Sequence, residues 1–124
     1  MIPLDVRLNN FLGTVEFVAD EQTHRAVWLE GATGITSITS LGELYCQFFD
    51  DNDMDGFINE ELSNAPLSPP QKEAIIRFRA ALGAVKTLPS FNNDNDQEAI
   101  ASREWKALVQ CARETLTVFV RPSE

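Results

Sequence analysis

One histidine and two cysteines are all that this sequence of 124 residues holds of those types, and its basic side chains number 10 against 19 acidic ones. The scarcity of histidine bears first on catalysis. His24 lies in a polar turn far in sequence from Cys46 and Cys111, so Ser-His-Asp or Cys-His chemistry has no specific support. No CxxC, HxxxH or Cys/His cluster offers zinc spacing. Carboxylates are too numerous for any two of them to mark an acid–base couple, and a non-enzymatic protein is expected. Cys46 and Cys111 both fall in segments with helical apolar spacing and read as reduced, buried thiols rather than a disulfide or a metal pair.

Long apolar runs are missing too. No stretch of roughly 18 apolar residues could cross a bilayer, and the N-terminal MIPLDVRLNN has no basic start leading into an apolar core. A cytoplasmic location is therefore expected. The segment from Gly31 to Ser40, GATGITSITS, has glycine and hydroxyl residues but no glycine-lysine-serine/threonine ending, so it reads as a connector and not a phosphate loop. The shortage of positive charge leaves a net charge of −9 and a pI near 4.5. Nucleic-acid backbone and anionic membrane would be repelled at long range, which makes a basic protein the natural counterpart.

What the sequence does contain is concentrated between Cys46 and Leu62, CQFFDDNDMDGFINEEL. Six carboxylates, Asp50, Asp51, Asp53, Asp55, Glu60 and Glu61, occur there with no basic residue among them, and like charges at this density repel unless a cation or basic partner neutralises them. Asp51, Asp53, Asp55 and Gly56, followed by Ile58, resemble the first half of an EF-hand loop, in which alternate side chains bring oxygens to one calcium ion. The closing position falls on Leu62, with Glu61 one residue early. One helical residue is a rotation of about 100°, so Leu62 reads as a core contact and any calcium site as incomplete and weak. FNNDNDQE, from Phe91 to Glu98, supplies no second hand. Three readings stand side by side: a calcium site on Asp51, Asp53 and Asp55; a solvated turn; and a docking surface for a basic protein, centred on the six carboxylates with Asp94 and Asp96 of the second acidic cluster.

Around this stretch the periodicity is mostly helical. Leu8, Phe11, Leu12, Val15, Val18 and Ala19 share one helix face, with Asp5 placed to cap it. Residues 14–18 paired with residues 26–29 as a β-hairpin form the alternative. Asp20 offers a cap for a second short helix ending at Gly31. Ser40 and Glu43 make a capping box ahead of Leu41, Leu44, Tyr45, Phe48 and Phe49, so a helix leads directly into the acidic stretch. A short helical turn is expected around Glu60 to Ser63. Ser68 as N-cap, Pro69 and Gln71 then open a helix with Ile75, Phe78, Leu82 and Val85 inward, a Glu73–Arg77 pair outward and Pro89 as its stop. Asp94 and Gln97 open a last helix with Trp105, Leu108, Val109, Ala112, Leu116 and Phe119 on one face, and residues 117–120 have the β-branched character of an extended end. Trp28 and Trp105 read as core, and Asn92, Asn93 and Asn95 as turn residues. The expectation is mainly α, one compact helical domain over residues 1–124, with α+β carrying an N-terminal hairpin as the alternative.

RAVWLEG at Arg25 to Gly31, TSITSLGELYCQFFDDND at Thr36 to Asp53 and REW at Arg103 to Trp105 together resemble bacterial immunity proteins, the small acidic partners of contact-dependent inhibition and related polymorphic toxins. The resemblance implies a cytoplasmic, non-enzymatic inhibitor whose carboxylates face the lysines and arginines of a cognate toxin domain.

Overall fold

A computed structural model describes residues 3–22, 41–88 and 96–119. Of these, 84% are helical and none is in a strand, so the chain is mainly α. The segment expected either as helix or as half of a hairpin is a single helix, α1, Leu4–Ala19. Residues 26–29, Trp28, His24, Ser40 and Asp94 lie outside the described residues.

Three helices make the frame. α1 is followed by a short α2, Leu41–Tyr45, which continues as a π-helical turn, Cys46–Asp51. Next come α3, Met54–Glu60, and a single 3-10 turn, Leu62–Asn64. The long α4, Pro69–Lys86, precedes a short α5, Asp96–Ile100, and then α6, Arg103–Val118. α6 packs against both α4 and α1, and the π turn lies against α1.

Local chemistry accounts for the helix starts. Ser68 Oγ accepts from the Gln71 N–H at 3.3 Å and Gln71 Oε1 accepts from the Ser68 N–H at 3.0 Å, the expected capping box, with Pro69 and Pro70 pre-set for helix. Gln71 Nε2 also donates to the Val118 carbonyl at 3.1 Å, tying the start of α4 to the end of α6. The expected last helix is two: the chain breaks after Ile100, and Ser102 caps α6 by accepting from the Trp105 N–H at 3.1 Å. α6 runs through Val118, so no extended end begins at Thr117. α1 begins after Pro3, which places Asp5 inside its first turn and not at its cap.

The core is aromatic at its centre. Phe11 meets Phe48, Phe78 and Phe119 at centroid separations of 6.3, 5.6 and 6.1 Å, so one ring from α1 joins the π turn, α4 and the residue after α6. Ile75, Phe78, Leu82 and Val85 are fully buried, as the stripe on α4 requires, and Leu62 and Trp105 are core residues. Three expectations are corrected. Arg7, Thr14 and Phe17 are buried on α1 while Leu8, Leu12 and Ala19 are partly exposed, because the inward face is rotated toward the positions that meet the π turn and α6. Cys46 is exposed, since Leu44, Tyr45 and Phe48 take the inward positions and Cys46 lies off their stripe; Cys111 is partly buried. Arg77 reaches across to Glu114 on α6 at 3.7 Å; the expected partner was Glu73 on its own helix.

Candidate functional site

The acidic stretch is an ordered helix–turn–helix. Tyr45 and Phe48 point inward, and the Tyr45 hydroxyl donates to the Leu82 carbonyl on α4. The π turn closes with the Asn52 N–H donating to the Gln47 carbonyl at 3.0 Å. The wider turn adds a residue where an α-helix would have carried straight on, a feature that recurs near functional sites. Asn52 is 3% exposed, and its Nδ2 donates to the Arg7 carbonyl at 3.1 Å. Asp53 then reverses the chain in the left-handed region, φ 44° and ψ 52°, and is the one described non-glycine residue there. Its carboxylate folds over the first turn of α3, and a Cβ on Gly56 would come within 2.5 Å of Asp53 Oδ2. A side chain at Gly56 would displace this exposed carboxylate, and Gly56 lies inside a helix, where the EF-hand order gives it the bend of an open loop.

Cations distant in sequence reach this element. The Arg79 guanidinium forks onto Asp55, Nε to Oδ1 at 2.8 Å and Nη2 to Oδ2 at 3.2 Å, while lying 5.3 Å from the centroid of Phe49. The hydrogen bonds from Arg79 hold the Asp55 carboxyl below the usual carboxylate range, aided by the charges of Arg79 and Lys86 and opposed by burial; the same pair raises Arg79. Arg7, only 3% exposed, lies 5.0 Å from the centroid of Phe57 and gives Nη1 to Glu61 Oε2 at 3.1 Å. Nε of Arg7 and Oδ1 of Asn52 have no hydrogen-bond partner among the described residues, so this buried node stabilises less than its made bonds alone would suggest.

The six carboxylates therefore divide. Asp55 and Glu61 are half-buried and drawn onto arginines of the bundle, whereas Asp50, Asp51, Asp53 and Glu60 are exposed. Asp51, Asp53 and Asp55 are not gathered about a point: no group of three or more histidine, cysteine or acidic side chains among the described residues is close enough to hold a metal ion. Asp96 begins α5, and Asp94 lies outside the described residues. No known protein family, curated protein or solved structure matches this chain.

Reading the sequence as a local string missed Arg7 and Arg79, since neither lies within the acidic stretch. A signal for Arg7 was present: it stands four residues before Phe11 and eleven before Val18, on the stripe that is buried. A charged residue on an inward stripe needs a partner, and Glu61 is that partner. Among the described residues no helix is long and apolar enough to cross a membrane.

Proposed function

We propose that this protein is a non-enzymatic inhibitor that binds and neutralises a basic protein domain, in the manner of a bacterial immunity protein acting on its toxin, and that the partner docks on the 46–64 element. The observation that carries the reading is the division of the carboxylates. Two are held inward by Arg7 and Arg79, which fix the element on the bundle, and Asp50, Asp51, Asp53 and Glu60 are left outward with no ion-pair partner among the described residues. A focused negative patch on a rigid scaffold speeds encounter with a cationic surface, and salt screens that advantage over about 8 Å at physiological ionic strength.

If the neighbouring gene encodes a basic toxin domain, that domain is the partner to test. Replacing Asp50, Asp51 and Asp53 together by asparagine should slow association several-fold at low salt and flatten its salt dependence, with the unfolding midpoint maintained. Association at the wild-type rate with the same salt dependence would sink the reading. The competing reading, weak calcium binding by Asp51, Asp53 and Asp55, would gain from a saturable calcium titration that the same variant abolishes.

A further inference from the structure

Beyond the C-terminal end of α3 the chain forms a recess of about 320 Å³. Four apolar residues, Leu4, Phe57, Ala65 and Pro66, line it together with Asn64 and two carboxylates, Glu60 and Glu61. Its volume lies at the low end of ligand sites, about 300 to 1,000 Å³, which suits one long side chain better than a cofactor. Apolar walls with carboxylates beside them match an amphipathic cation, whose methylenes need an apolar track and whose head needs an anion.

Two arginines of the chain illustrate how such a surface can hold a cation. Arg7 is seated on Phe57 and Glu61, at 5.0 Å from the ring centroid and 3.1 Å from the carboxylate. Arg79 repeats the arrangement on Phe49 and Asp55, at 5.3 Å and 2.8 Å. In both, a planar guanidinium lies near a phenyl ring while an acid takes its N–H groups, a combination that a compact, strongly hydrated ammonium matches poorly. Arg7 already takes Glu61 and covers the ring of Phe57, which is buried, so an incoming side chain would run along Leu4, Ala65 and Pro66 to Glu60, the lining carboxylate with no cation among the described residues.

From this we infer that the recess is an anchor pocket for an arginine side chain of a basic protein partner, with Glu60 as its principal carboxylate. The inference rests on the basic-partner reading for the source of the arginine, and it adds a second point of attachment at the opposite end of α3 from Asp53.

The test uses n-butylguanidinium as a stand-in for the arginine side chain, titrated into the free protein and followed by backbone amide NMR. Saturable shifts centred on Leu4, Phe57, Glu60, Glu61 and Ala65 are expected in the roughly millimolar range. Glu60→Gln should weaken them about three- to fivefold, and Asp51→Asn, at the far end of the element, should not. Non-saturating shifts spread over all acidic residues would overturn the pocket, as would equal affinity in the Glu60→Gln protein. An equal response to n-butanol would overturn its preference for a guanidinium. Because the probe is read without any toxin domain, the pocket and the docking reading can fail separately.

Discussion

Tyr45 is the single tyrosine of the chain, is 6% exposed, and donates its hydroxyl to a helix carbonyl on α4. Burial pushes its ionisation well above the ordinary value near 10. A folded-state value raised in this way favours the protonated fold. The contribution is complete below the unfolded value and is lost as pH rises beyond it. Absorbance of tyrosinate should therefore appear together with loss of helical signal during alkaline titration, and Tyr45→Phe should cost about 1 kcal/mol at neutral pH. Ionisation near pH 10 with the helices intact would mean that the hydroxyl is open to water. This residue was legible in part: the Leu44, Tyr45, Phe48 spacing gave its burial, but its acceptor lies on another helix and no local pattern points to Leu82. The same holds for Asp55 and Glu61, whose partners are remote arginines.

Among the elements, α4 was the most readable because its specification is local. Ser68, Pro69 and Gln71 fix where it begins, and the stripe from Ile75 to Val85 fixes its face. Ser68→Ala removes one half of the capping box and should cost about 1 kcal/mol. Gln71→Ala removes the other half and the bond to Val118 as well, so it should cost more, toward about 2 kcal/mol. Urea unfolding of both variants checks this, and a Gln71→Ala protein no weaker than Ser68→Ala would show that the link to α6 contributes nothing. α3 was less readable, although Met54, Phe57, Ile58 and Leu62 carry helical spacing. The alternating aspartates and Gly56 have the same order as an ion-binding loop, and only the buried Met54 and Phe57 decide for a helix. The break between α5 and α6 was missed because the apolar face of α6 is continuous, and Ser102 as a cap was the sign of it.

At the scale of the whole molecule, the two arginine clamps join the acidic element to the bundle with unequal strength. Arg7→Ala would take a buried cation from Glu61 and open space against Phe57, at a cost of about 2–3 kcal/mol. Arg79→Ala acts where both side chains are roughly half exposed, 40% and 46%, and should cost under about 1 kcal/mol. Equal losses of stability in denaturant would show that burial does not set the difference. α6, meanwhile, packs on both α1 and α4, and Phe119 at its end completes the contacts of Phe11. Contacts between such distant parts of a chain form slowly, since the intervening loop must close first. During synthesis, α1 through α4 would thus leave the ribosome with their shared apolar surface unsatisfied, and this small acidic protein would depend on its own strong negative charge to stay dispersed until α6 arrives.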